Sequence, residues 1–155
     1  MMKENKSKEK ICLFFASDYH FEMITLPYIN EKLKENKNIV IVTENNLEET
    51  MKKVISRVNL NENEKKEILK IDWKSDNFSK FKEIKELNKK SDEVIVFVKG
   101  KENYINNINE NINNWGNLEN LKIIDCYDVN ELQEDITNIS GKYNKVLSTS
   151  GISKL

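Results

Sequence analysis

The stretch that decides the fold is Val94-Ile-Val-Phe-Val98, a continuous apolar run bounded by charged residues. A run of this length without alternation predicts a strand that is buried on both faces. Ile39-Val-Ile-Val42 shows the same pattern. Because strands buried on both faces are typical of parallel sheets covered by helices, these two runs predict an α/β protein.

Strand and helix patterns alternate along the rest of the chain. The predicted strands are Ile11–Phe15, Ile39–Thr43, Ile68–Asp72, Glu93–Val98, Leu121–Cys126 and Lys145–Ser148. Apolar residues at helical spacing lie between them, in the segments Leu47–Val58, Phe78–Leu87, Tyr104–Trp115 and Leu132–Ile139. The alternation predicts a three-layer α/β/α sandwich with a mainly parallel sheet of five to six strands, either flavodoxin-like or, as the resemblance described below implies, RecA-like. We expect residues 1–10 to form a disordered lead-in and residues 11–155 to form a single α/β domain.

Helix ends carry recognisable signals. Asn46 with Glu49, and Asn61 with Glu64, have the spacing of a capping box, and the second pair predicts a short helical turn before the third strand. Gly116 stands where a left-handed C-terminal cap is expected. Pro27 allows two interpretations of the first helix, which is either one kinked helix or a helix that begins near the proline.

Composition excludes several classes of protein. The chain has 25 Lys and Arg against 26 Asp and Glu, and Arg57 is its only arginine. We therefore expect no nucleic-acid partner, since such binding needs clustered positive charge. We also expect no membrane segment, because no apolar run approaches the roughly 20 residues needed to span a bilayer. Cys12 and Cys126 lie inside apolar runs without metal-ligand spacing, which predicts reduced core cysteines in a cytoplasmic protein and no metal site. We also expect no cofactor.

The carboxyl ends of parallel strands meet at one edge of a sheet, where α/β proteins place their ligands. Polar or aromatic residues that follow the predicted strands form the candidate ligand-binding site. These residues are Ser17, Asp18, Tyr19, His20, Glu44 and Trp73. The expected partner at this edge is an unknown small ligand or a partner protein, and the chain is a candidate homo-oligomer.

Common chemistries do not fit the first strand-to-helix turn. The segment from Ala16 to His20 contains no glycine, so it lacks a phosphate-cradling loop. No glycines flank Ser17 as a nucleophile elbow would require, and we predict no catalytic residue. Two alternatives stay open: a small acid–base enzyme that uses His20 with the carboxylates of Asp72 or Asp125, and a structural or assembly partner.

The beginning of the chain contains Ile-Cys-Leu-Phe-Phe at 11–15, Pro-Tyr-Ile at 27–29, Leu33, and Asn38–Thr43 followed by Glu44. Together these segments resemble the MEDS family of bacterial sensory domains. The family was first described in a dichloromethane-responsive repressor and is similar to the KaiC and RecA ATPases, but it lacks a working nucleotide loop. Beyond residue 44 the resemblance extends only to the order of elements.

Two positions depart from the family and its ATPase relatives. Lys10 stands where the family often has a histidine, and Lys99 follows the Val94–Val98 strand where a RecA-like ATPase would have a metal-binding acid. The resemblance thus implies a degenerate nucleotide-binding fold. It implies sensing or protein interaction in bacterial signalling rather than hydrolysis.

Overall fold

A computed structural model describes residues 8–90, 93–116, 118 and 120–155. The strands are β1 (Lys8–Phe15), β2 (Asn38–Thr43), β3 (Val94–Gly100), β4 (Leu121–Asp128), β5 (Lys145–Ser148) and β6 (Gly151–Lys154). The α-helices are α1 (Asp18–Lys34), α2 (Glu48–Ile55), α3 (Glu62–Leu69), α4 (Asn77–Lys89), α5 (Glu102–Asn113) and α6 (Ile136–Ser140). A 3₁₀ turn, Val129–Glu131, follows β4.

The six strands form one sheet in the order β2-β3-β4-β1-β5-β6. All neighbouring strands are parallel except β5 and β6, which pair antiparallel. The predicted three-layer sandwich with a mainly parallel sheet is confirmed. Of its two named variants, the flavodoxin-like one is wrong, because that fold has the strand order 2-1-3-4-5.

Side chains that alternate along the strands feed two separate cores. Ile95 and Phe97 of β3 pack into a core with residues of α1, α2 and α3. Val94, Val96 and Val98 of the same strand pack into a second core with residues of α4, α5 and α6. The continuous apolar run is therefore explained, since both faces of β3 are covered by helices.

The first helix is a single element that runs through Pro27. It begins at Asp18 because the Ser17 side chain caps it by accepting a hydrogen bond from the His20 backbone N–H over 3.1 Å. Pro27 has no N–H to donate to the carbonyl of Met23, one turn earlier. Met23 is half exposed, at 47%, so this part of the helix lies at the surface.

The predicted strand Ile68–Asp72 is wrong. Ile68 and Leu69 end helix α3, and residues 70–76 belong to no helix or strand. The segment is helical because the capping box of Asn61 and Glu64 forms. The Asn61 side chain accepts from the Glu64 N–H over 2.8 Å, and the Glu64 side chain accepts from the Asn61 N–H over 3.0 Å. A short apolar run does not separate a strand from a buried helix end, and Ile68 is fully buried in the helical form.

Other expectations differ in detail. The capping box expected at Asn46 and Glu49 does not form, because α2 begins at Glu48 and Asn46 accepts a hydrogen bond from the Glu48 N–H instead. Phe78, which the helical spacing placed on a core face, is 82% exposed. Gly116 adopts a φ of 96°, as its predicted role after α5 requires.

The N-terminal expectation is only partly open to comparison. Residues 1–7 of the predicted lead-in lie outside the described residues, whereas Lys8–Lys10 already belong to β1. The short strand β6 was not predicted, because its sequence contains no apolar run. It forms a hairpin with β5, and Gly151 at its start has a φ of 98°.

Candidate functional site

The direction in which the chain connects successive strands of the sheet reverses between β1 and β4. The chain leaves β1 towards β2 on one side and leaves β4 towards β5 on the other, so the ends of these neighbouring strands form the switch point where α/β folds bind ligands. Here the side-chain amide of Asn130 donates a hydrogen bond to the carbonyl of Ala16 over 2.9 Å. The two loops that would border a ligand are thus tied to each other.

Four candidate residues lie together at the start of α1. Ser17, Asp18 and Tyr19 are exposed, and His20 is half-buried. The Nδ1 atom of His20 accepts a hydrogen bond from the Ala16 N–H over 2.9 Å. Ser17 and His20 therefore both hold the strand-to-helix turn, a local role that the lone histidine shares with many helix-cap residues.

Glu44 directly follows β2, and its side chain contacts the start of α5. Its carboxylate accepts a hydrogen bond from the Lys101 N–H over 2.9 Å, which places a negative charge at the N-terminus of that helix. Gly100 makes this approach possible, because a Cβ atom there would lie 2.9 Å from Glu44 Oε1 and 2.5 Å from the Tyr104 ring. The structure thus uses Glu44 as an internal helix anchor.

Trp73 is part of the core and only 3% exposed. Its indole N–H donates to the carbonyl of Ile68 over 3.0 Å, and its own carbonyl accepts from the Leu47 N–H over 2.9 Å. Because the segment before it is helical, Trp73 does not stand at a strand end. The structure brings Ser17, Asp18, Tyr19 and His20 together, while Glu44 and Trp73 each have separate partners.

The carboxylate of Asp125, considered above for acid–base chemistry, lies inside the protein. The residue is fully buried, and its side chain accepts hydrogen bonds from Tyr143 over 2.6 Å and from Asn109 over 3.0 Å, with Lys10 at 3.3 Å. Burial raises its pKa, and Lys10, Tyr143 and Asn109 act in the opposite direction.

Asp125 also stands apart from the sheet edge. Strand β4 continues for three residues beyond it, a rise of roughly 10 Å, so it is not the strand-end residue that the sequence suggested. Its partner Asn109 belongs to α5, on the opposite face of the sheet from α1. The neighbouring Cys126 is fully buried, and burial raises its thiol pKa well above the ordinary value. This geometry supports a structural role for Asp125.

A second buried charge lies at the outer edge of the sheet. Lys80 of α4 is 1% exposed, and its ammonium donates to the carbonyl of Ile41 in the edge strand β2 and to the carbonyl of Lys74 over 2.7 Å. Burial lowers the pKa of this ammonium. The side chain thereby occupies a backbone acceptor that an edge strand would otherwise present to another chain.

A groove of about 650 Å³ lies between α1 and the end of α2, and we call it the α1–α2 groove. Its residues come from one side of α1, from the end of α2 and from the segment that leads from α2 to α3. They are Tyr19, Glu22, Met23, Leu26, Pro27 and Asn30 on α1, and Val54, Arg57, Val58, Asn59 and Leu60 opposite.

The α1–α2 groove combines apolar walls with a few polar groups. Tyr19 and Met23 are 70% and 47% exposed, so apolar surface stands open at its border. Glu22 is the one acid of the lining, and burial, followed by the nearby Asp18, raises its pKa, while Arg57 and Lys99 act against the shift. A volume of 300–1,000 Å³ with this mixture is typical of small-molecule sites.

Of the predicted site residues, only Tyr19 lines this groove. The sequence did carry a signal for the rest of the α1 wall. Tyr19, Met23 and Pro27 follow at four-residue spacing, which is a second stripe on a helix whose other stripe, represented by Phe21 and Ile24, enters the core. The opposite wall gives no such signal, because its position depends on how α2 packs.

Two classes of site find no support in the described part of the chain. Nowhere in these residues do three or more His, Cys, Asp or Glu side chains come together in a way that could hold a metal ion. Likewise, none of the described helices has both the length and the apolar character that crossing a membrane requires.

Comparisons with known proteins give no relative to draw on. No protein-family model matches the chain, no curated protein is similar to it, and no solved structure matches it.

Proposed function

We propose that this chain is a non-catalytic sensory or regulatory α/β domain that binds a small ligand in the α1–α2 groove. The observation that carries the proposal is the groove itself, whose 650 Å³ are bordered by exposed apolar side chains and a few polar groups. We place this function in bacterial signalling and in the cytoplasm, where the resemblance of residues 11–44 to MEDS sensory domains would put it.

The switch-point edge supports a binding role rather than a catalytic one. Its histidine accepts a backbone hydrogen bond, its loops are joined by Asn130, and the carboxylate of Asp125 lies inside the protein. A ligand in the groove would contact Tyr19 and Met23, directly beyond the start of α1. Such a ligand could stabilise the first helix and so change how the domain meets a partner protein or a second copy.

Binding of Nile red, a neutral dye that fluoresces in apolar sites, tests the proposal. We expect saturable binding to the wild-type protein, abolished by Met23→Lys, which places a charge in the groove. Phe78→Lys is the matched control, since Phe78 is 82% exposed but lies outside the groove. If both substitutions leave dye binding unchanged, the α1–α2 groove is not a ligand site and the proposal fails.

A further inference from the structure

The walls of the α1–α2 groove require an apolar ligand body. Met23, Leu26 and Pro27 form one side, and Val54, Val58 and Leu60 form the other. Leu26 and Val54 are buried at the floor, at 4% and 7% exposure, whereas Met23 at the border is half exposed. An apolar body between these walls would remove the exposed border from water, and the flexible Met23 side chain could adapt to its shape.

Arg57 supplies the charge that selects the other end of the ligand. It is the only arginine in the chain, its side chain lines the groove, and it is exposed. The ion pairs of the described residues all involve lysines, so no described carboxylate pairs with this guanidinium. A guanidinium is permanently charged and matches a carboxylate with two parallel hydrogen bonds.

Glu22, the acid of the groove, does not satisfy Arg57. It forms no ion pair with it, although it is close enough for the two charges to interact. Asn30, the polar residue further along α1, already donates its amide to Glu64 over 3.3 Å. Arg57 is the one cation of the lining, and it would repel a cationic ligand. Glu22 also forms no ion pair among the described residues, but burial and the nearby Asp18 raise its pKa and so weaken its competing negative charge.

We infer that the α1–α2 groove binds an amphipathic carboxylate, with its hydrocarbon body between α1 and α2 and its carboxylate on the guanidinium of Arg57. The inference rests on the proposed function and specifies the class of ligand for the same groove. It requires one negative charge at one end of an otherwise apolar molecule. Aliphatic carboxylic acids of medium length have this form.

Isothermal titration with three probes of equal chain length tests the inference: decanoate, decanol and decylammonium. Decanoate should bind most tightly to the wild-type protein. Arg57→Gln should weaken decanoate binding by about tenfold and leave decanol binding unchanged, since only the charged contact is lost. Arg57→Lys should recover part of the loss, because it restores the charge without the planar fork. Lys53→Gln, which removes an exposed cation of α2 outside the groove, is the matched control.

The outcomes separate the ligand class from the groove. If decanol or decylammonium binds as tightly as decanoate and Arg57→Gln has no effect, the carboxylate class is wrong while Nile red binding still supports the proposed function. If decanoate, decanol and Nile red all fail to bind, both are wrong. If the protein is a dimer in solution that Met23→Lys dissociates, the groove is an interface between copies and the carboxylate inference is overturned.

Discussion

The phenol of Tyr143 lies 2.6 Å from a carboxylate oxygen of Asp125 and donates a hydrogen bond to it inside the protein. Tyr143 precedes β5 and Asp125 belongs to β4, two strands that are separated in the sheet by β1. The Tyr127 hydroxyl lies a further 2.6 Å from that of Tyr143. This polar chain joins the two sides of the central strand.

Asp125→Asn is expected to flatten the pH dependence of stability. Because burial raises the folded-state pKa of Asp125, the folded protein retains a proton that the unfolded chain has lost. That contribution is fully present below the unfolded pKa of about 4 and is lost as the pH rises through the raised value. Urea unfolding from about pH 4 to about pH 8 should show a smaller decline in the variant than in the wild-type protein.

Tyr143→Phe provides the opposite test. The Tyr143 hydrogen bond lowers the pKa of Asp125, so its removal should raise that pKa further and steepen the decline of stability with pH. Parallel curves for the wild-type protein and both variants would show that Asp125 has the same pKa in the folded and unfolded states.

Lys80→Met should destabilise the protein and make it prone to aggregation. The substitution keeps a long apolar side chain but leaves the carbonyls of Ile41 and Lys74 without their donor, at a cost of about 1–3 kcal/mol. It also frees the Ile41 carbonyl of the edge strand β2. Chemical unfolding and light scattering would measure the two effects. Lys82→Met, an exposed change on the same helix, should show neither of them.

Gly100→Ala should cost about 1–3 kcal/mol of unfolding free energy. The new methyl group would lie 2.5 Å from the Tyr104 ring and 2.9 Å from Glu44, so it would displace the carboxylate that anchors α5. Gly141→Ala is the milder comparison, because its Cβ would lie 3.3 Å from the Thr137 carbonyl oxygen, a tight contact without the overlap at Gly100, and its φ of −64° suits alanine. Similar midpoints for both variants in denaturant would contradict the anchoring role of Glu44.

Ser17→Ala should lower the free energy of unfolding by about 1 kcal/mol through loss of the α1 cap. Ser17→Asp should retain most of the stability, because an aspartate side chain can also cap the helix. Neither change should alter Nile red binding in the groove.

His20→Ala should also leave Nile red binding unchanged, since the Nδ1 atom of His20 accepts its hydrogen bond from the Ala16 N–H. A measurable turnover that His20→Ala abolishes would instead favour the acid–base enzyme.

Glu22→Gln should strengthen decanoate binding severalfold at neutral pH. The substitution removes the one acid of the groove lining while keeping a side chain of the same size next to Arg57. Titration calorimetry at low and high salt would check the electrostatic origin, because the gain should shrink as salt rises. An unchanged or weaker affinity would mean that the decanoate carboxylate lies away from Arg57.

The sequence predicted those parts of the fold that depend on local pattern. Val94–Val98 and Ile39–Val42 were buried on both faces as expected, and the Asn61 capping box marked a real helix start. The segment that begins at Ile68 was wrongly assigned to a strand, because an apolar residue is buried equally well at the end of a helix and in a strand. The strand order and the α1–α2 groove depend on contacts between distant segments, which no local periodicity contains.

The ammonium of Lys80 also bears on how the sheet could be extended. At the β2 border of the sheet it occupies the carbonyl of Ile41, one backbone acceptor of that outermost strand. Stacking of molecules strand to strand into a fibre requires both borders of every sheet to accept a neighbour. The contact of Lys80 with Ile41 therefore works against such stacking at the β2 border.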